Sequence, residues 1–424
     1  MEQRRIVGID LGVTSSHVVA ICDETGATLA KRKCVSTRDS LAAIEQAALA
    51  GTEPGCRLEV VIEPTGVSWL PVAVFFCRRG HIVFRVSSQK AADLRRFLRR
   101  HAKSNSIDAE TLARVPIIAP GTVQPLQLPD ADRASLDRRS RAADALTEQI
   151  AGHKTRLREL ARHVMPTVDR VFTNKFGKAD LVVLERYGDP RALLRLGEAR
   201  LAKLIGRESR GQHGPERARM WIDVARDALE LYGEDPAVAF DATAAEIATE
   251  ARLIAFLEAE RRIHAAAREA AYQAVDPDGL ARTLPGVSVI GGPVIVAAMG
   301  DPSRFRNGPA FKSFTGLAPR ANGTGDSDRK GQPISKAGSS RLRDQLVCSA
   351  NTARKLDPQL AAVYFTQMSE RGAHHTKAVC VVAARLAERA WAVMARGEPY
   401  VIRDLDGTPI TPAEAKAITP SVTP

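Results

Sequence analysis

Two apolar segments near the start of the chain each end on a carboxylate, and this pattern constrains the fold more than any other feature. Residues 5–10 are RIVGID and residues 58–63 are LEVVIE, so the segments end at Asp10 and Glu63. Both predict buried strands, and Pro64 and Gly66 predict a fixed turn directly after the second. Functional sites in α/β folds form at the carboxyl edge of the sheet. We therefore expect an acidic site at that edge.

The segments between and after these two strands predict an α/β domain. Three early strands are followed by alternating strands and helices, which predicts a mixed sheet. This order matches the ribonuclease H-like fold, and it also matches the first half of an actin-like or sugar-kinase ATPase. The further strands are predicted at 17–22, 28–35 and 81–86, and the helices at 41–50, 69–79 and 89–115.

A third acid, Asp108, lies on the last predicted helix, behind a basic run. Between residues 85 and 103 there are seven Lys or Arg against one acid, Asp93. A basic helix face suits a nucleic-acid backbone, although a solvated charged helix is the simpler alternative. Carboxylates combined with substrate phosphates are the ligands that Mg²⁺ prefers. Asp10, Glu63 and Asp108 together therefore predict Mg²⁺-dependent phosphodiester chemistry.

Charge and composition agree with a nucleic-acid partner. The net charge is +12 and the pI about 9.7, a balance that suits a polyanion. The six cysteines are scattered with no closely spaced pair, which fits a reducing cytosol. No apolar run reaches the length of a membrane span, so we expect no membrane association.

The middle of the chain predicts long helices after a proline-rich linker at 116–130. A heptad pattern follows, which indicates either a coiled coil that dimerises or an internal helical hairpin; the pattern favours neither. A second long helix from Phe240 is expected to pack against the first. The heptad positions are Leu136, Ala143, Ile150, Leu157 and Val164.

Residues 284–293 predict a helix-hairpin-helix-like start of a C-terminal domain, with backbone N–H groups suited to phosphate.

The most distinctive segment of the sequence lies between residues 301 and 345. Nine Lys or Arg and four Asp are interspersed there with glycines and hydroxyl residues. This composition suits a loop pressed against phosphates, and a solvated basic loop is the alternative. Taken with the N-terminal acids, the chain resembles the DEDD-type insertion-sequence transposases, the family of bridge-RNA-guided recombinases. The C-terminal residues that carry the resemblance are Gly316, Leu317, Pro319, Gly325, Ile334, Ser335, Lys336 and Gly338.

The resemblance implies a resolvase-like metal domain, a helical linker and a C-terminal domain with a hydroxyl nucleophile. The four family acids fall on Asp10, Glu63, Asn105 and Asp108, so an amide replaces one expected carboxylate. An amide oxygen can coordinate Mg²⁺ but brings no charge. Glu110 is a poor substitute because it faces elsewhere on a helix.

A second departure concerns the nucleophile. Thr324 stands where the family has the serine before Gly325. Threonine carries a hydroxyl, although branching at Cβ crowds its attack. Ser327 is the reserve candidate.

The resemblance implies a transposase that recombines DNA at its element ends and at a target, with Mg²⁺, a guide RNA and assembly as a dimer or tetramer. It would work in a bacterial cytoplasm, on the nucleoid. The two halves of the site would come from different protomers. The expected domains are a ribonuclease H-like metal domain at 1–118, a helical coiled-coil linker region at 130–278 and a C-terminal transposase domain at 280–400. A partly disordered tail is expected at 401–424. The residues expected to bind nucleic acid are Arg95, Arg96, Arg99, Arg100, Lys103, Arg320, Lys336, Arg341 and Arg343.

Three other functions stay open on the sequence alone. A metal-dependent junction-resolving endonuclease would use water and need no hydroxyl. A non-catalytic nucleic-acid-binding relative would explain the two altered positions. An actin-like ATPase would bind Mg-ATP without DNA, but the second half of the chain is helical where such an enzyme needs a second α/β lobe.

Overall fold

The computed structural model describes residues 4–64, 66–98, 104–172, 176–233, 237–320, 323–324, 327–328 and 331–422. It divides into two compact units, Met1–Pro129 and Asp130–Pro424, which we describe separately. No helix in the described ranges is long and apolar enough to cross a membrane.

The first unit is built on a five-stranded mixed sheet, as the sequence predicts. The strand order is β3-β2-β1-β4-β5, with β1 antiparallel to β2, β2 antiparallel to β3, and β4 parallel to both β1 and β5. Each strand lies within one residue of its predicted bounds. The more specific ribonuclease H-like assignment stays a prediction. The strands are β1 Arg5–Asp10, β2 His17–Cys22, β3 Thr28–Cys34, β4 Leu58–Ile62 and β5 Ile82–Arg85.

Helices cover both faces of this sheet. Val7 and Ile9 pack with the first two helices, whereas Ile6 and Val61 pack with the next two. The division follows from the strand period of two, which sends successive side chains to opposite faces. The helices are α1 Arg38–Leu49, α2 Trp69–Arg78, α3 Ser88–Leu98 and α4 Asn105–Ile118.

The long helical stretch predicted over 89–115 contains two helices, α3 and α4. The second begins where Ser104 adopts an extended backbone and its hydroxyl accepts a hydrogen bond from the N–H of Ile107. This N-cap satisfies a donor at the first turn of α4, so a new helix starts there.

The expected linker partly belongs to the first unit. Pro116 lies inside α4, and the N–H of Leu126 donates to the carbonyl of Val83 at 2.7 Å, alongside β5. The proline-rich segment is thus extended, but part of it packs along the sheet edge.

The second unit is almost entirely helical and has two main apolar cores. One core joins α5 to the helices up to α10, and the other joins helices from α11 to α16. The elements are α5 Ala131–Val164, α6 Lys178–Tyr187, α7 Pro190–Leu196, α8 Glu198–Glu208, α9 Pro215–Tyr232, α10 Phe240–Val275, α11 Leu280–Thr283, α12 Gly291–Met299, α13 Gly308–Thr315, β6 Gly323–Thr324, β7 Ser327–Asp328, α14 Ser340–Ala353, α15 Pro358–Phe365, α16 His375–Arg396 and α17 Pro412–Val422.

The heptad face of α5 finds its partner within the chain. All five predicted heptad positions are buried, and α5 packs along α10. His153 Nδ1 lies 2.6 Å from Glu250 Oε2, and Arg156 Nη2 lies 3.2 Å from Glu246 Oε2, so the two helices run antiparallel. Of the two alternatives, the internal hairpin is the one that the structure contains.

The C-terminal region begins with two short helices, α11 and α12, joined by a segment that contains Gly286, as the sequence predicts. Gly291 and Gly292 lie buried in the first turn of α12, and the N–H groups of Ile290 and Gly291 donate to Ser288 Oγ. Phosphate binding at this turn stays a prediction. At the end of the chain α17 is helical where partial disorder was expected. The predicted domain boundaries stay predictions.

Candidate functional site

The first candidate site lies where β1 and β4 end side by side. Their parallel register pairs Ile9 with Ile62, so the next residues, Asp10 and Glu63, occupy neighbouring positions at one sheet edge. Ile9 and Ile62 pack into the core under α1 and α2. Strand alternation assigns Asp10 and Glu63 to the opposite face, the one that α4 covers. The register therefore brings two predicted metal ligands together.

Gly8 lets α4 approach β1 unusually closely. A Cβ on Gly8 would lie 2.0 Å from the carbonyl oxygen of Ala109 and 2.6 Å from the amide nitrogen of Ala113. Both are backbone atoms of α4, which cannot move aside as a flexible side chain can. Asp108 directly precedes Ala109. A contact that only glycine permits thus holds the residues directly after Asp108 against the strand that ends in Asp10.

The other two predicted ligands lie in the first turn of α4. Asn105 and Asp108 are three residues apart, which puts them on one side of the helix. Asp108 is half-buried, and its Oδ1 accepts a hydrogen bond from Arg95 Nη1 at 2.8 Å. Glu110 is buried and pairs with Lys31, so it lies apart from this turn.

The donor types at this edge fit a hard divalent cation. Asp10, Glu63 and Asp108 offer carboxylate oxygens and Asn105 offers an amide oxygen. Within the described ranges, however, no group of three or more His, Cys, Asp or Glu is arranged to hold a metal ion. The strand register places Asp10 and Glu63 at one edge, while the guanidinium of Arg95 engages Asp108.

His17 orders the loop that follows Asp10, a role that the sequence analysis missed. The N–H of Gly12 donates to His17 Nδ1 at 3.1 Å, and His17 Nε2 lies 2.8 Å from Ser36 Oγ. Burial lowers the pKa of His17 below the usual range for histidine, which favours the neutral ring. A neutral ring that accepts at Nδ1 carries its proton at Nε2 and can donate it to Ser36.

The predicted nucleophiles lie on a hairpin in the second unit. Strands β6 and β7 pair antiparallel, with Thr324 directly opposite Ser327. Further from the turn, Pro319 and Ile334 form an antiparallel bridge. The backbone therefore puts both candidates at the closed end of one hairpin, within the block that the sequence singled out.

Lys336, at the base of this hairpin, has a left-handed backbone. Its φ is +57°, and Arg210 at +56° is the other non-glycine residue with positive φ in the described part of the chain. Arg343 Nη1 donates to the carbonyl of Lys336 at 3.4 Å, and the N–H of Lys336 donates to the carbonyl of Gly316 at 3.0 Å. A residue with a Cβ adopts this conformation at a cost of about 1 kcal/mol, so the surrounding contacts impose it.

The other arginines predicted to contact phosphates differ in whether an acidic side chain already binds them. Arg320 is exposed. Arg341 Nε is held by Asp144 Oδ2 at 2.5 Å, and Arg96 Nη2 pairs with Asp93 Oδ1 at 2.7 Å. These roles stay predictions. The predicted residues Arg99, Arg100 and Lys103 lie outside the described ranges.

Lys377, on α16, lies beside the hairpin base and was missed by the sequence analysis. A Cβ on Gly331 would lie 3.7 Å from Lys377 Nζ. One turn further along α16, the charges of Arg343 and Lys336 act on the thiol of Cys380, whose pKa burial nevertheless raises. Three positive side chains thus converge here from distant parts of the sequence.

We expect Lys336→Gly to weaken DNA binding without destabilising the fold. Glycine accepts the left-handed backbone, so only the charge and the side chain are lost. If Lys336 contacts a phosphate, the slope of log affinity against log salt should fall by about one. DNA affinity at several salt concentrations measures this.

Arg210→Gly is the matched control, because it makes the same change of charge and backbone strain outside the hairpin. Equal losses of affinity in the two variants would contradict a phosphate contact at Lys336.

Comparisons with known proteins match two parts of the chain to transposase families. Residues 7–166, which include all four predicted metal ligands, match the transposase family model of the DEDD IS110 type, and residues 278–365, which include the hairpin, match the transposase IS116/IS110/IS902 family. A protein of insertion element IS110 from Streptomyces coelicolor is 25% identical over 403 residues, or 94% of this chain and 95% of the relative. A protein of insertion element IS116 from Streptomyces clavuligerus is 29% identical over 244 residues, or 56% of this chain and 58% of the relative.

Proposed function

We propose that this chain is a transposase of the IS110/IS116 kind that inserts and excises its own element by strand exchange at DNA phosphodiester bonds, as its matches to the two transposase family models support. The observation that carries the mechanism is the placement of Asp10 and Glu63 at neighbouring strand ends. With Asp108 and Asn105 they form the donor set that we assign to Mg²⁺. The ion would supply positive charge against the reacting phosphate.

We assign the attack on phosphorus to the hydroxyl of Thr324, with Ser327 as the reserve. As the new oxygen–phosphorus bond forms, the bond to the leaving DNA oxygen breaks. The proton lost by the hydroxyl is balanced by the proton that the leaving strand gains. The product is a protein–DNA phosphoester, which a hydroxyl of a second strand displaces to regenerate the threonine. Lys336 and Arg343 would bind the flanking phosphates.

Alanine variants of the two hydroxyl residues test this assignment. Labelled element-end DNA, the protein and Mg²⁺ are combined, and covalent adducts are separated on a denaturing gel. We expect Thr324→Ala to lose the adduct and Ser327→Ala to keep it. An adduct that survives in the double variant would rule out both hydroxyls. Cleavage without any adduct in the double variant would favour the endonuclease that uses water.

We further propose that a guide RNA selects the DNA. The net charge of +12 and the basic residues of α3 support a second polyanionic partner. RNA recovered with the protein from its host should include one species encoded beside the gene. Recovery of no enriched RNA would contradict the guided mechanism.

We propose that self-association uses the outer face of α10, because α10 itself covers the heptad face of α5. Phe256 and Ile263, seven residues apart, are 61% and 62% exposed, and Leu253 is exposed on the same side. An apolar stripe at this spacing suits packing against a second copy of the helix.

A double Phe256→Asp, Ile263→Asp variant should therefore reduce the mass of a dimer or tetramer, as measured by light scattering. Leu231→Asp, at a single exposed leucine on α9, is the control and should leave the mass unchanged. An unchanged mass in the double variant would exclude this face.

A further inference from the structure

The contact between Arg95 and Asp108 is an ion pair at a predicted metal ligand. Arg95 Nη1 lies 2.8 Å from Asp108 Oδ1, and the two side chains are only 22% and 16% exposed. The next residue, Arg96, pairs instead with Asp93, and both of those side chains are more than half exposed. The sheltered pair is therefore distinct from the ordinary surface pairs of α3.

A sheltered carboxylate needs a positive partner. Partial burial weakens the hydration of Asp108, so leaving it ionised and unpaired would be costly. A guanidinium meets this need with a directed hydrogen bond. The position that the proposed function gives to Mg²⁺ is thus held, at Asp108, by a positive group of the chain itself.

The same guanidinium is suited to a second role. Arginine binds phosphate and carboxylate with the same planar fork of N–H groups. A divalent ion at Asp108 would repel the nearby positive charge of Arg95 and weaken the ion pair. Arg95 would then be released beside the metal ion, close to where the DNA phosphodiester is proposed to bind.

We propose that Arg95 is a placeholder cation for Asp108, which a divalent metal displaces and which then binds a nucleic-acid phosphate. The inference rests on the proposed assignment of Asp108 as a metal ligand. It makes Arg95 a positioning residue that couples metal binding to phosphate binding. Thermodynamic linkage requires this coupling to act in both directions.

Metal affinity, measured without any reaction, tests the proposal. Mn²⁺ is titrated into the full-length protein by calorimetry in the absence of nucleic acid. Arg95→Gln removes the competing charge and should tighten Mn²⁺ binding by about 5- to 150-fold, the usual range for coupled sites. Arg95→Lys keeps the charge and should stay close to the wild type. Arg57→Gln, at an exposed arginine directly before β4, is the control and should also leave Mn²⁺ affinity unchanged.

A second titration tests the coupling. A short DNA duplex added to the wild type should tighten Mn²⁺ binding, since the phosphate offers Arg95 another partner. The same duplex should have a smaller effect on Arg95→Gln. An equal effect on both proteins would overturn the coupling.

Asp108→Asn separates failure of this proposal from failure of the metal assignment. If Asp108→Asn binds Mn²⁺ as well as the wild type does, the metal assignment itself fails, and the placeholder role fails with it. If Asp108→Asn loses binding while Arg95→Gln binds no tighter than the wild type, the metal site stands and the placeholder role is overturned.

Discussion

Asp10→Asn is expected to abolish DNA strand cleavage and exchange, with a loss of about 10³-fold or more. The change keeps the shape of the side chain but removes the charge at the end of β1, where Asp10 adjoins Glu63. Metal assistance contributes several kcal/mol to such reactions, and each 1.36 kcal/mol of lost stabilisation is about tenfold in rate. Cleavage of labelled element-end DNA in Mg²⁺ measures the loss.

Asp39→Asn is the matched control for this experiment. Asp39 is an exposed acid in the first turn of α1, which packs on the opposite face of the sheet from α4. We expect it to cleave like the wild type. If Asp10→Asn cleaves DNA at the wild-type rate, the metal assignment is refuted. If the wild-type protein is itself inactive, a non-catalytic nucleic-acid-binding relative is favoured.

Gly8→Ala is expected to destabilise the first unit by about 3 kcal/mol, at the upper end of typical overpacking costs. The added methyl would lie 2.0 Å from a backbone oxygen of α4, so the helix must move away from β1. That movement would also draw Asp108 away from the strand that ends in Asp10. Urea unfolding followed by far-ultraviolet circular dichroism measures the change, and metal titration measures its effect on the site.

Gly121→Ala supplies the comparison in the same unit. A Cβ on Gly121 meets no atom within 4 Å, so that variant should unfold like the wild type. If Gly8→Ala were equally stable, α4 would not lie as close to β1 as the structure places it.

Sequence patterns predicted the sheet well, because buried strands leave a local signal. Four of the strands are short, mainly apolar runs, whereas β3 is a largely exposed edge strand, and all five lie within one residue of their predicted bounds. The start of α4 was missed because its signal is a single capping serine, Ser104, within a polar and basic stretch that resembles a continuous helix.

Local sequence patterns could not predict which side chains contact each other. The heptads of α5 required a partner but did not say whether it belonged to the same chain; the pair between Lys154 and Glu258 shows that α10 is one. Arg341 resembled a free phosphate ligand in the sequence, yet Asp144, almost two hundred positions away, holds it. Such pairs depend on how helices pack, which no local pattern records.

The sequence by itself determined the mixed sheet, the acids at the ends of β1 and β4, and the basic C-terminal block. These features follow from the order of residues along single strands and loops. Only the tertiary structure decided that α4 lies against Gly8, that Arg95 engages Asp108, and that Lys377 joins the hairpin base. The physical reason is distance along the chain: each contact joins elements whose approach is set by packing of the whole unit.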